Sequence, residues 1–372
     1  MIRIAVAIAL SAAPFVSVGR PFQGRHRGPE RPALHVSPRA VLDDNATLTA
    51  IAGIRVGHHT LTARPTGCTV VLADGGAVGG IAQRGAAPGT RDTDLFQPSN
   101  AVDRVDAIVL SGGSAFGLDA ANGAMAWLDE HGMGWDAGVA KVPIVPTAVL
   151  IDLWVGGKPE IRPAADCGYR AAAAATSDPV AEGSVGAGAG ATVGKLTGVD
   201  RAMKGGIGTA AIALPNRLQV AALVAVNALG DVIDPRTGVV VAGTRNADGS
   251  LADARRLLRL GVTRPLPGAR PGENTTLGVI ATNAVLTKAE ASRVAQMADD
   301  GYARAVVPAH TIADGDTIFT LATGRWNGTT DAALVTLVGS LAADVMADAV
   351  VRAAREATSV SGIPAARDLR KQ

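Results

Sequence analysis

Asn274, Thr275 and Thr276 stand where turn residues give way to an apolar, β-branched run, Leu277-Gly278-Val279-Ile280-Ala281-Thr282-Asn283. A threonine at such a junction has a chemistry that one in mid-strand lacks. If the Asn274–Thr275 bond is cut, Thr275 becomes a chain terminus carrying both a hydroxyl nucleophile and its own α-amine. The reference pKa of that amine, about 7.7–8, makes it a base near neutral pH without help from a histidine. Paired threonines at a strand start are equally ordinary β-formers. Asn-Thr-Thr also has the letters of a glycosylation sequon, which matter only in a glycosylating secretory pathway.

Several polar residues could serve such a nucleophile. Lys195 is the single cation of Gly183–Gly198, the first part of the glycine-rich stretch Gly183–Gly206. It reads either as a solvated turn lysine or as a charge that lowers a nearby pKa or holds a carboxylate. Asn227 follows a strong apolar run and is either a hairpin residue or an amide donor to an oxyanion. Asp314 and Asp316 flank Gly315 at the entrance of another apolar run, either as turn residues or as a pair that orients Thr275 and balances Lys195. Ser114, after Gly112-Gly113, resembles a nucleophile elbow, but Phe116 stands where that pattern needs glycine. Gly113 and Ser114 fit better as backbone donors at a helix start beside a pocket.

Other sites fail on spacing. A P-loop ending at Gly194-Lys195 would need glycine at Ala189 and Ser or Thr at Leu196. The loose dinucleotide pattern at Gly186–Ala191 lacks its acidic residue. His58-His59 has no partner at ligand spacing, and Asp314–Asp316 lacks the remaining EF-hand ligands. No metal and no cofactor are expected.

The elements that must position these residues come from a chain of 372 residues, 48% apolar and 18% charged, with 45 glycines and 3% aromatics. That is enough for a full core with close backbone packing. The net charge is +2, but six arginines against Glu30, Asp43 and Asp44 give residues 1–46 a charge of +3, so the body is near −1. The body has no nucleic-acid footprint. Cys68 and Cys167 read as small buried hydrophobes, with a disulfide only if the protein is exported. Residues 1–46 form a tail, read as a signal peptide with a linker or as a start placed too far upstream. The compartment is accordingly cytoplasmic, or periplasmic or secreted if the signal is real. No stretch reaches the roughly 18 apolar residues of a membrane span, and no membrane partner is expected.

Periodicity predicts strands at 51–56, 69–73, 105–110, 142–153, 218–226, 277–283 and 318–322, with 75–90 loop-rich. It predicts helices from Ser114 to about Asp129, over 166–175, over 251–260, from a capping box Thr287–Glu290 to about Ala305, and over 330–357. The last is nearly all apolar and should be buried between layers. The polar, Pro- and Gly-rich run Thr244–Gly272 places a linker just upstream of the Asn274–Thr275 bond.

The ordered segments Gly53–His58, Gly85–Thr90, Leu110–Gly117, Gly186–Lys195, Lys204–Gly208, Asn274–Asn283 and His310–Gly324 resemble the DmpA-type L-aminopeptidase/D-esterase family. It includes β-peptidyl aminopeptidases and nylon-oligomer hydrolases, and the likeness spans about Ile51 to Arg367. Asp92 stands in the Thr-Arg-x-Thr-Asp run where the family has Glu. The resemblance implies an α+β fold, a four-layer αββα sandwich shared with ornithine acetyltransferases. It implies a single domain over 47–372, self-cleaved into 1–274 and 275–372 and assembled as a homo-oligomer, a tetramer, of two-piece subunits. It assigns Thr275 as nucleophile, Asn274 as the other side of the cut, Lys195 and Asn227 as pocket residues, and Asp314 and Asp316 as the paired acids. Some nylon-hydrolysing members carry a tyrosine where this chain has Ile151, which sets it apart at one substrate-side hydrogen bond. The implied activity is that of an aminopeptidase or amidase on short peptides or amides. Alternatives are an endohydrolase of 6-aminohexanoate oligomers and an acyltransferase of the ornithine acetyltransferase type.

Overall fold

The computed structural model describes residues 45–262 and 274–369. The tail and the segment just upstream of Asn274 lie outside the described residues.

A nine-stranded sheet forms the frame. Its path runs Ile207–Ala213, Gln219–Ala225, Leu277–Thr282, Thr317–Ala322, Gly67–Gln83, Arg104–Ser111, Thr147–Val149 and Gly89–Arg91, with Ile54–Thr60 beside Gly67–Gln83. Leu277–Thr282 and Thr317–Ala322 are parallel neighbours, and most other pairs are antiparallel.

Period-2 patterning stacks this sheet into layers. Ala221, Leu223 and Ala225 share one core with Val71, Ile108, Leu110, Val279 and Phe319, so two halves of the sheet face each other. The alternate residues Ala222 and Val224 pack outward on the helices Lys288–Ala305 and Ala332–Glu356. On the opposite side Cys68, Val70, Ala107 and Val109 pack on the helices Ala120–Glu130 and Ala165–Ala173. Helices, sheet, sheet and helices follow in order, the four-layer α+β sandwich expected from the sequence.

The stretch 75–90 is not mainly loop. Gly67–Gln83 is one strand of 17 residues that serves both halves of the sheet. Gly75 and Gly76, at φ +78° and +73°, absorb a register shift between Leu72 and Ala77, a conformation that side chains resist. Glycine also lets the helix Lys288–Ala305 press on the strand: a Cβ at Gly80 would lie 2.2 Å from the backbone carbon of Ala291. Gly80→Ala is therefore expected to cost about 1–3 kcal/mol through overpacking, seen as a lower urea midpoint at an unchanged slope.

Other boundaries shift for local reasons. The helix start at Ser114 is a 3₁₀ turn, Ser114–Asp119, and the α-helix begins at Ala120. Gly113 occupies the cap position and Ser114 itself is left-handed, at φ +58°, with no side-chain cap. The expected strand 142–153 reduces to Lys141–Val142 and Thr147–Val149, because Pro143 and Pro146 interrupt pairing. The capping box forms as expected, with the Thr287 hydroxyl accepting from Glu290 N and the Glu290 carboxylate accepting from Thr287 N.

Two expectations are corrected. Ala332–Glu356 is long and apolar enough to cross a membrane by composition, with mean hydropathy 1.8 over its best stretch, 61% of it buried in the fold. Its small residues (Gly339, Ala342, Ala343, Ala349, Ala353) set it tightly against Lys288–Ala305 and the sheet. Cys68 and Cys167 are both fully buried, as expected, but they form a disulfide across 99 residues of chain, with Cα atoms 6.1 Å apart.

Candidate active site

Parallel pairing creates the site. Leu277 lies opposite Thr317, so the entrances of two neighbouring strands meet at one end of the sheet. Asn274 N–H donates to Ala313 O (3.2 Å), Gly315 N–H to Asn274 O (2.9 Å) and Thr317 N–H to Thr276 O (3.0 Å). This ladder lays the Asn274–Thr275 peptide alongside Asp314-Gly315-Asp316. On its other flank Thr275 N–H donates to Asn227 O (3.0 Å), at the end of Gln219–Ala225.

The Thr275 hydroxyl donates to Asn274 O at 2.5 Å, so this side chain and the adjoining carbonyl oxygen are in contact. Thr275, Asn274, Lys195, Asn227, Asp314 and Asp316 are each at most 2% exposed. Lys195 Nζ donates to Asn227 Oδ1 (3.0 Å) and O (3.2 Å) and sits 5.4 Å over the Trp154 ring. Asn227 Oδ1 also accepts from Thr192 N (3.0 Å), and Nδ2 donates to Ile151 O (3.0 Å). Lysine ammonium and Thr275 N–H thus share one acceptor, the Asn227 carbonyl.

Asp314 accepts from Leu229 N (3.2 Å), Thr311 N (3.2 Å) and the Thr311 hydroxyl. Burial, then the charge of Asp316, pushes its carboxyl up to about 6, against the hydrogen bonds and Lys195. Asp316 accepts from Thr276 N (2.9 Å) and the Tyr302 hydroxyl (3.3 Å) on one oxygen, and from His310 Nδ1 (3.0 Å) and N (3.2 Å) on the other. The Asp316 charge across Gly315 thus disfavours ionisation of Asp314, and the lysine partly offsets that.

Thr275 opens on a cleft of ≈ 300 Å³ lined by Gly89, Ser114, Ala115, Val149 and Ile151. The structure therefore brings Thr275, Asn274, Lys195, Asn227, Asp314 and Asp316 into one connected cluster, with Ser114 and Ile151 on its cleft. Gly113 is one residue removed, and its N–H is held by Asp152 Oδ1 (3.0 Å). Ser114 N–H is spent on Leu150 O (2.9 Å). Asp152 anchors this corner through a fully buried pair with Arg64 (3.0 Å) and the Thr66 hydroxyl (2.6 Å).

Sequence reasoning missed Tyr302, His310, Asp152, Trp154 and Lys204. Lys204 Nζ donates to the carbonyls of Ala189 (2.8 Å) and Ala191 (2.6 Å), clasping the glycine loop that leads to Lys195. Burial lowers its pKa to about 7, against the charge of Asp152. The available signal was a second lysine in the same apolar stretch. Among the described residues no cluster of three or more His, Cys, Asp or Glu side chains is arranged to hold a metal.

Gly315 has no room for a side chain: its Cβ would lie 2.7 Å from Thr275 Oγ1 and 2.4 Å from Ala87 O. Gly315→Ala is expected to displace the hydroxyl, slowing any reaction at Thr275 by on the order of 100-fold. The rate of the reaction at saturating substrate, beside a circular-dichroism melt, checks this.

A buried threonine between paired acids and a lysine, in an αββα frame, defines a class of layered hydrolase. The same fold occurs in the L-aminopeptidase D-Ala-esterase/amidase of Ochrobactrum anthropi, described as a variant of the Ntn hydrolase fold (TM-score 0.62, 19% identity, 84% of this chain and 86% of that one). Residues 46–367 match the model of Peptidase family S58, and the chain belongs to that family, hydrolases of peptide and amide bonds. An uncharacterised aminopeptidase of Mycobacterium tuberculosis is 45% identical over 346 residues, 87% of this chain and 97% of that protein. A 6-aminohexanoate-oligomer endohydrolase of a Kocuria species is 29% identical, covering 94% of this chain and 96% of its own.

Proposed function

We propose that this peptidase activates itself by cutting Asn274–Thr275 and then acts as an N-terminal-threonine aminopeptidase or amidase on short peptides or amides. The observation that carries the reading is the 2.5 Å contact between Thr275 Oγ1 and the Asn274 carbonyl, whose oxygen also accepts from Gly315 N–H.

In the precursor the Thr275 oxygen attacks the Asn274 carbonyl carbon. A C–O bond forms, the C–N bond breaks, and the nitrogen takes the hydroxyl proton as it becomes an amine. Water then hydrolyses the ester, leaving an Asn274 carboxylate and a free Thr275. In the mature enzyme the same oxygen attacks a substrate amide. The α-amine accepts the proton and passes it to the leaving nitrogen. Lys195, on the shared Asn227 carbonyl, favours the amine's neutral, basic form. The Asn227 amide, turned toward Ile151 in the cleft, is the oxyanion donor. Water releases the acyl group from Thr275.

Intact mass and N-terminal sequencing of the purified protein test the reading. The expected result is two pieces, the smaller beginning at Thr275. An active protein that remains one chain overturns it.

A second substrate reading rests on the Kocuria likeness and on the apolar cleft wall of Ala115, Val149 and Ile151, which suits an aliphatic chain. A panel of short peptides beside 6-aminohexanoate oligomers separates the two.

A further inference from the structure

The helix Lys288–Ala305 sends two polar side chains inward, Asp299 and Tyr302, three residues apart and so on one face. Tyr302 reaches Asp316. Asp299 is only 2% exposed, and neither of its carboxylate oxygens has a hydrogen-bond partner. A buried carboxylate in that condition is costly to the fold and calls for a reason.

Its nearest charges give one. Asp299 Oδ1 lies 3.9 Å from His310 Nε2, and Oδ2 lies 3.7 Å from Arg84 Nε. The other His310 ring nitrogen, and the His310 backbone N–H, both bond Asp316 Oδ2. Asp316 Oδ1 in turn takes Thr276 N–H, next to the nucleophile. His310 holds φ +53°, in the left-handed region that few residues other than glycine, Asn, Asp and His adopt. The groups facing this imidazole are Asp299 and Tyr302 from the helix, Arg84 from the end of the long strand, and Asp316 from its own loop.

We propose that Asp299 and His310 are positioning residues: Asp299 orients the His310 ring, His310 fixes Asp316, and Asp316 holds the Thr275–Thr276 backbone against Gly315. This rests on Thr275 being the nucleophile. The electrostatics agree in direction. Burial alone lowers the His310 pKa, but the hydrogen bond and charge of Asp316, with the charge of Asp299, outweigh it and raise it. Burial pushes Asp299 up to about 7, with Asp316 and Asp300 adding to the rise and His310 and Arg84 opposing it.

Asp299→Asn separates positioning from mere support of the fold. A supporting residue would lose stability and activity together. A positioning carboxylate at a destabilising site gains stability and loses activity. The sign follows from linkage: a raised carboxyl pKa gives stability that is present below the unfolded value, near 4, and is lost as pH rises through about 7. The variant is thus expected to melt higher than the wild type at pH 8 and equally at pH 4. Its kcat is expected to fall on the order of 10-fold with KM little changed. In ¹⁵N-histidine spectra, with His310→Asn identifying the resonance, the imidazole should titrate at lower pH in Asp299→Asn. Asp299→Glu should recover part of kcat. A wild-type kcat and unshifted imidazole in Asp299→Asn overturn the proposal, as does loss of melting temperature in step with kcat. If instead the wild type stays uncut and active, the reading of Thr275 fails, whatever Asp299 does.

Discussion

Thr275→Ala is expected to remain uncut between Asn274 and Thr275 and to be inert toward every amide that the wild type hydrolyses. The substitution removes the proposed nucleophile, the hydroxyl that hydrogen-bonds the Asn274 carbonyl oxygen at 2.5 Å. The backbone ladder from Ala313, Gly315 and Thr317 does not involve that side chain, so the fold should persist. Loss of a nucleophile in a comparable hydrolase costs on the order of 10⁶ in kcat, which sets the scale. Thr275→Ser keeps the hydroxyl and should still mature. A denaturing gel and a turnover assay on the three proteins suffice. Residual cutting in the alanine variant would place the nucleophile elsewhere.

The second large effect is expected from Lys195→Met. The ammonium is 1% exposed, donates to both Asn227 oxygens and lies over Trp154. Methionine fills the space without the charge. Three losses follow. Asn227 is freed to turn, so its amide no longer points reliably into the cleft. The Thr275 amine loses the cation that favours its neutral form. Asp314, already raised to about 6 chiefly by burial and by Asp316, loses an opposing charge and rises further. A carboxyl of higher pKa stays protonated to higher pH, so the acid limb of the kcat profile should move toward alkaline pH. The fall in kcat at neutral pH should be on the order of 10²–10³, the scale of losing one preorganised donor. An unmoved acid limb would separate Lys195 from the acids.

Much of the site was legible because its parts lie at strand entrances, where apolar β-branched runs meet turn letters. Thr275 precedes Leu277–Thr282 and the paired acids precede Thr317–Ala322, and both runs announce themselves by composition. What periodicity could not show is that these two runs are parallel neighbours in register, which joins the entrances. Asp299 escaped notice because Asp299-Asp300 reads as helix surface, and only three-dimensional packing turns the first of them inward. The strand through Gly75 to Gln83 was hidden by its glycines, which signal loops locally and here permit a bend and a close helix. The disulfide joins residues too far apart in sequence for spacing to pair them.

The order of strands has a consequence for what a cut between Asn274 and Thr275 can do. The later piece supplies Leu277–Thr282 and Thr317–Ala322, which lie side by side with Gln219–Ala225 on one edge and Gly67–Gln83 on the other, both from the earlier piece. The earlier fragment alone has its sheet interrupted at the centre, and the later one alone has, of that sheet, only the two strands that fill the gap. A cut there would therefore be a nick in a finished object, and the halves would stay interlocked like a tenon in its mortise. On the proposed scheme the precursor completes its fold before it breaks its own backbone, and an earlier piece made separately would lack the two strands at the centre of its sheet.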